Sequence, residues 1–342
     1  MGKTILITGA TGKQGRALVN ALASRAGQSS ADEASEQGAF RILALTRNAS
    51  SSAAQHLAQK EHVEVVQGDL DDRESVRKVF EDAKSTGGIW GVYCALAFPG
   101  LGANADGEER QGKLMADLAL EYGVSVYIYS SAERAGPAHD DEEVRSGRAK
   151  MLIERHVKSL GEKGLSWTIM RPGFFLDNYE GFIGSITVAV MKCGLKPDSK
   201  VALIDSEDIG RVAAAIFRSP DKYQHKELVV IGEVASMSEQ NEAYKRATGR
   251  PLPSIPNIFA RILVAINKST KDLVDHFDAL HHARVTGQHD QFESQVQLTR
   301  EALPEIKSVY DWALVQKNGQ GRDSGDQGWN KVSIWQLITG RL

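Results

Sequence analysis

A chain of 342 residues is long enough to bury one large α/β core, alone or with a smaller appendage. Lysine and arginine total 41 against 44 aspartates and glutamates, a formal net charge of -3, so nothing in the balance points to direct contact with nucleic acid. Cys94 and Cys193 are its only cysteines, which excludes a disulfide framework; no apolar run reaches membrane-spanning length, and the first ordered motif begins too early for a signal peptide, so a cytoplasmic protein in a reducing compartment is expected, with the nucleus as a second compartment.

The β-branched run Thr4 to Thr8 turns into Gly9-x-x-Gly12-x-x-Gly15, and Leu18, Val19 and Leu22 then follow at helical spacing. Strand, glycine turn and helix in that order bring bare backbone N–H groups and the positive end of a helix dipole up to a phosphate, so a dinucleotide pyrophosphate is the expected guest. The helix is expected from Gln14 to about Arg25, and Ala26 to Gly38 reads as a polar surface insertion. A second strand, Phe40 to Thr46, ends in Arg47-Asn48. An acidic residue there would select NAD, whereas arginine pairs with the 2′-phosphate, so Arg47 predicts NADP(H). The third strand, Val63 to Leu70, brings Asp69 and Leu70 to the adenine; the other reading is that Asp69 or Asp71 caps the helix Arg73 to Lys84.

A fourth strand, Gly88 to Ala97, is apolar enough to be central in a parallel sheet, and Ala95 and Leu96 at its end are expected on the nicotinamide side. A glycine-rich loop, Gly100 to Asp106, leads to a helix from Glu108 to Tyr122 and then to the strand Ser125 to Ser131, where Ser130 or Ser131 would face a substrate carbonyl. Gly147 to Leu160 is a helix carrying Lys150. The sixth strand, Leu165 to Met170, runs into Arg171-Pro172-Gly173-Phe174-Phe175, where the chain is expected to leave the sheet and pass over the nicotinamide. Beyond it, a helix from Tyr179 to Gly194, a strand and helix from Lys200 to Phe217, a strand from Leu228 to Gly232 and a helix to Thr248 make the parts of a smaller substrate-side unit. Pro256 to about Arg284 reads as one long helix. Its adjacent His281 and His282 cannot face one another, so they are surface residues and no metal site is expected. Residues 317–328 read as a linker, and 329–342, with Trp329, Trp335 and Leu337, as a hydrophobic tail that docks on this body or on a partner subunit.

Thr8-Gly-Ala-Thr-Gly-Lys-Gln-Gly15, Leu45-Thr-Arg-Asn48, Gly68-Asp-Leu70, the Lys150 helix and Ile169-Met-Arg-Pro-Gly-Phe-Phe175, in that order, resemble the NmrA-like family of atypical short-chain dehydrogenases/reductases. The likeness spans roughly residues 3 to 250 and more loosely reaches Trp312. It implies a Rossmann-type doubly wound α/β sheet in residues 1–175, with a further sheet contribution from about 200–217, and a smaller α/β unit in 176–316. The cofactor residues it implies, together with those read above, are Gly9, Thr11, Gly12, Lys13, Gln14, Gly15, Arg47, Asn48, Asp69, Leu70, Ala95, Leu96, Lys150, Pro172, Gly173 and Phe174. Classical members of the superfamily pair the lysine with a tyrosine four residues earlier that protonates the carbonyl. Ser146 stands there, and NmrA-like proteins commonly lack that tyrosine. Lys150, Ser131 and Tyr129 are then the catalytic candidates, Tyr179 and His139 the further proton donors considered, and Lys150 itself could hold the substrate oxygen, as in isoflavone-reductase-like enzymes. Two functions follow. One is an NADPH-dependent oxidoreductase of a small conjugated or aromatic carbonyl or quinone; the other is a non-catalytic NADP(H) sensor acting through a protein partner. A homodimer is compatible with either.

Overall fold

The computed structural model describes residues 2–23 and 40–318. The strands are β1 (Thr4–Ile7), β2 (Arg41–Thr46), β3 (Val63–Gln67), β4 (Gly91–Cys94), β5 (Val126–Ser130), β6 (Trp167–Pro172), β7 (Phe174–Phe175), β8 (Lys200–Ile204), β9 (Lys226–Val230) and β10 (Glu233–Ser236). The helices are α1 (Lys13–Ala23), α2 (Ser52–Ala58), α3 (Arg73–Lys84), α4 (Asp106–Glu121), α5 (Arg145–Gly161), α6 (Gly181–Gly194), α7 (Ser206–Arg218), α8 (Pro220–Tyr223), α9 (Met237–Thr248), α10 (Asn257–Ile266), α11 (Lys268–Val285), α12 (Phe292–Ala302) and α13 (Val309–Lys317).

Seven strands form one parallel sheet in the order β3-β2-β1-β4-β5-β6-β9. The order reverses between β1 and β4, and in open α/β sheets the crevice at such a reversal is where ligands sit. Helices cover both faces, which is why β1, β4 and β5 are buried at every position rather than at alternate ones. On one face Ile5, Ile7, Ile128 and Met170 pack with Leu18, Val19 and Ile209; on the other Leu6, Leu43, Val92 and Tyr127 pack with Phe80, Met115, Ile153 and Val157. Each such fully buried aliphatic side chain stabilises the fold by about 1.5–3 kcal/mol. The helices approach closely where side chains vanish: a Cβ on Gly210 of α7 would lie 2.3 Å from the Ala17 backbone of α1, and one on Gly112 of α4 would lie 2.4 Å from Ile153 of α5.

Four expectations change. The strand within 200–217 does not join the large sheet: β8 pairs with β7 and β10 in a second, three-stranded sheet, α7 of that stretch packs on the Rossmann layer, and the seventh strand is β9. Periodicity marks a buried strand without naming its neighbour. The sixth strand runs on to Pro172 rather than ending at Met170, because Arg171 and Pro172 still pair with Val229 and Val230, and the chain leaves the large sheet at Gly173, within the expected segment. A side chain at Gly173 would lie 2.5 Å from the Ala202 carbonyl, so the step between sheets needs glycine. Asp72, not Asp69 or Asp71, caps α3 by accepting from the N–H groups of Glu74 and Ser75. The long helix is two, broken at Asn267, whose extended backbone lets its side chain accept from Thr270 N–H and start α11. The expected insertion 26–38 and the segment from 319 to 342 lie outside the described residues.

Candidate functional site

At the carboxyl ends of the central strands lies a cavity of about 850 Å³. All sixteen residues expected at the cofactor line it. The floor is the glycine turn: Gly9 has φ +60°, a Cβ there would lie 2.8 Å from the Ala95 carbonyl, and Gly15 approaches so near that its Cβ would lie 2.3 Å from the Gly9 carbonyl. No other residue fits at Gly15, and a side chain at Gly9 would be strained as well as crowded. Thr8 ties the turn down, its hydroxyl donating to the Ala95 carbonyl (2.8 Å) and accepting from Ala95 N–H (3.0 Å). Gln14 Oε1 accepts from Tyr93 (3.1 Å) and Ser130 (2.6 Å), which pins the first turn of α1 to β4 and β5. The first N–H groups of α1 have no intrahelical acceptor, so this end is electropositive and able to bind an anion.

Arg47 is exposed at one end of the cavity and makes no ion pair or hydrogen bond among the described residues. Asn48 shapes the turn beside it, its Oδ1 accepting from Ser50 N–H (3.0 Å) and Ser50 Oγ (2.7 Å). Asp69 and Leu70 lie on the adjacent wall, the Asp69 carboxylate accepting from Asp71 N–H (3.0 Å).

The opposite end is apolar and aromatic, with Phe174 and Phe175 from β7 and Leu273, Phe277 and Leu280 from α11; the rings of Phe174 and Phe277 meet edge to face at 5.3 Å. α11 was not foreseen as a wall. Its Asp272 and His276 also line the cavity, and no local signal marked them because their role depends on how the helix docks. Asp272 pairs with Arg145 Nη1 at 3.2 Å, across the cavity from α5. Arg145 is held at φ +50°, unusual for a residue with a side chain, so this contact sits on a strained start to α5.

Lys150 sits between the two ends, and its ammonium contacts Glu108, a buried carboxylate of α4 that also accepts from Ser146 Oγ at 2.6 Å. Ser146, in the tyrosine position, therefore serves to hold Glu108. Glu108 was missed because an acidic residue in a first helical turn reads as an ordinary dipole partner. Ser131 lines the cavity, whereas Ser130 turns to Gln14; Ser131 Oγ donates to Glu154 Oε1 at 2.5 Å. Arg171 grips Glu154 through two hydrogen bonds (2.6 and 3.2 Å) and Arg134 adds another. Burial pushes the Glu154 carboxyl up, but the Arg171 and Arg134 guanidiniums outweigh it and hold it below the usual carboxylate range.

The structure does not bring the expected proton donors to this place. Tyr129 is wholly buried on the helix side of β5, outside the cavity lining, with its hydroxyl unpaired, and burial keeps that hydroxyl protonated far above its ordinary range. Tyr129 shares a face of β5 with Tyr127, and that face is covered by α4 and α5. Tyr179 is buried and donates to Gln240 (2.7 Å), and His139 lies in an outer loop between Glu142 and Gln288, each 2.9 Å away. Among the described residues no cluster suits a metal ion, His281 and His282 included, and no helix is long and apolar enough to cross a membrane.

The sequence profile of the NmrA-like family matches residues 1–312. This chain belongs to the NmrA-like family. An NmrA-like oxidoreductase of Aspergillus campestris is 24% identical over 266 residues, covering 72% of this chain and 73% of its own. Among solved structures, the negative transcriptional regulator NmrA in complex with NADP superposes with a TM-score of 0.61 at 19% identity, covering 94% of this chain and 98% of that one; the same regulator has also been crystallised with NAD. The triphenylmethane reductase of Citrobacter sp., complexed with NADP(H), gives 0.63 at 16% identity over 92% of this chain and 99% of that one. An NmrA-like chain can thus be a regulator or a reductase.

Proposed function

We propose that this NmrA-like chain is an NADPH-dependent oxidoreductase that reduces a small, uncharged, aromatic or conjugated carbonyl compound. The observation that carries the reading is the continuity of the cavity. One space runs from the glycine turn and the unpaired Arg47, past Lys150, into the chamber of Phe174, Phe175 and Phe277. A phosphate-binding end joined to an apolar chamber is the arrangement expected where a nucleotide and a second small molecule meet. Bound there, reduced nicotinamide would supply a hydride. The chain's own part is to hold and orient: the first turn of α1 takes the pyrophosphate, Arg47 the 2′-phosphate, Asp69 and Leu70 the adenine, and Ala95, Leu96 and Pro172 to Phe174 the nicotinamide. Lys150, fixed by Glu108, stands at the ribose. The cations of the chamber are already matched, Arg134 with Asp140 and Glu154, Arg145 with Asp272 and Lys150 with Glu108, so an anionic substrate would find no vacant counter-charge.

Single-turnover oxidation of bound NADPH by a panel of quinones, enones and aromatic ketones tests the reading. At least one acceptor should react faster than it does with free NADPH; if none does, the reading falls. The sensor is the second reading, and one observation favours it: Lys150 and Ser131, the two groups a reductase would turn to its substrate, are each engaged by a buried carboxylate. A chain that binds NADPH tightly, oxidises it with no acceptor and gains or loses a protein partner on loading would be that sensor.

A further inference from the structure

Ser146 cannot protonate a carbonyl, and Tyr129, Tyr179 and His139 do not reach the cavity. Of the other acidic and histidine side chains lining its substrate side, Glu133 is held by Arg284 and Asp272 by Arg145 and Lys268, which leaves Glu143 and His276. Glu143 lies three residues before Ser146 and just ahead of α5. Its carboxyl folds across the first turn of that helix, so close that a Cβ on Gly147 would lie 2.0 Å from Oε2. Only a residue without a side chain leaves that space. No side chain caps α5, and the Glu143 carboxyl has no hydrogen bond or ion pair among the described residues. Nearly every other charge around the chamber is committed: Arg134 to Asp140 and Glu154, Arg145 to Asp272, Lys150 to Glu108.

We propose that Glu143 is the proton donor of the reductase described above, giving its carboxyl proton to the substrate oxygen as the carbonyl carbon takes up a hydride. The inference rests on that reading of the site. In the step the π bond of the carbonyl breaks, its carbon gains a C–H bond and its oxygen an O–H bond, and the carbon–oxygen single bond remains. The electron pair arrives with the hydride from reduced nicotinamide, which is oxidised. Glu143 is left as a carboxylate and regains its proton from water at the cavity mouth.

The surroundings of Glu143 suit the role. Burial raises its carboxyl to about 7; Arg134 pulls the other way, and Asp140, Glu154 and Glu142 reinforce the rise. Near neutral pH it holds a proton it can give, the condition for efficient general-acid catalysis. His276 is exposed on α11, and the partial loss of hydration of its ring lowers the imidazole rather than raising it, so at neutral pH it lacks the second ring proton.

Two measurements on the full chain test the proposal. Carbon-13 NMR of labelled glutamate carboxyls should show one signal titrating near pH 7 that is missing from Glu143→Gln; a Glu143 signal titrating in the ordinary carboxylate range overturns the proposal without any assay of activity. The isosteric Glu143→Gln, checked for unchanged NADPH affinity, should slow single-turnover reduction by about a hundredfold. It should also abolish the fall in rate that the wild type shows as pH rises through about 7. If the wild type reacts and Glu143→Gln matches its rate and pH profile, Glu143 is not the donor and His276 is the next to test. If the wild type reduces no acceptor although Glu143 titrates near neutrality, the reductase reading itself has failed and the donor role goes with it.

Discussion

At the scale of single residues, the site is arranged by which charges are matched and which are not. Arg47 is exposed and unmatched at the cavity end, so a ligand phosphate has no internal competitor to displace. A charge-assisted hydrogen bond is worth about 1.5–3 kcal/mol, roughly tenfold to a hundredfold in affinity. Arg47→Ala should therefore weaken NADPH binding by that factor and leave NADH binding nearly unchanged; calorimetric titration with both cofactors checks it, and an equal loss for both would remove Arg47 from the 2′-phosphate. Lys150 is the contrasting case. Its partner Glu108 is buried, so Lys150→Ala would strand a carboxylate, and a loss of stability would accompany any loss of function. Arg47 and the glycine turn could be read from the sequence because their chemistry follows from position along a strand–turn–helix unit. Glu108, Glu143 and His276 could not, because Glu108 meets Lys150 and Ser146 across the fold, Glu143 depends on the burial around it, and His276 reaches the cavity only through the docking of α11.

At the scale of elements, α1 and α7 are joined through a glycine contact. Adding a methyl group at Gly210 places it 2.3 Å from the Ala17 backbone, and backbone cannot swing aside as the end of a side chain can. Overpacking of this kind costs about 1–3 kcal/mol, and each kcal/mol lowers the melting temperature of a chain this size by roughly 2–4 °C. Gly210→Ala should show that loss in a thermal melt, and an unchanged Tm would mean that the two helices separate more freely than their packing implies. α11 bears on function rather than stability. Its apolar periodicity predicts a helix but not its neighbour, and docking beside β7 turns Leu273, Phe277 and Leu280 into a chamber wall. α10, just before it, leaves Ile258, Phe259, Ile262 and Ile266 exposed, so the same kind of periodicity has opposite outcomes in consecutive helices.

Across the whole molecule, one buried network joins the sheet to its helices. Glu154 of α5 holds Arg171 of β6 and, from the segment after β5, Ser131 and Arg134, and Arg171 reaches on to Glu227 of β9. Removing the one carboxylate shared by two buried guanidiniums leaves both undercompensated, so Glu154→Gln should cost about 3–5 kcal/mol. The sign of the pH dependence follows from the lowered Glu154 value: its contribution is present above the unfolded carboxylate pKa of 4.5 and is lost as the pH falls through the folded value. Wild-type stability should therefore fall in acid below about pH 4.5, and the difference between wild type and Glu154→Gln should shrink there. Melting both proteins across that range checks it; a constant difference would show that Glu154 carries no charge in the fold.

The parallel sheet, the phosphate-binding turn, the arginine after the second strand and the lack of a tyrosine before Lys150 are all legible along the chain. Those features are local: they depend on a few consecutive residues and on the periods of strand and helix. Tertiary structure alone decided that β8 belongs to a second sheet, that Tyr129 is sealed under α4 and α5, and that Ser146 and Ser131 serve buried carboxylates. It alone brought α11 round to close the chamber and folded the Glu143 carboxyl across Gly147. The reason is that burial and charge pairing are properties of surfaces meeting in space, and a residue's proton affinity, orientation and access to a ligand are set by the groups opposite it rather than by its neighbours along the chain.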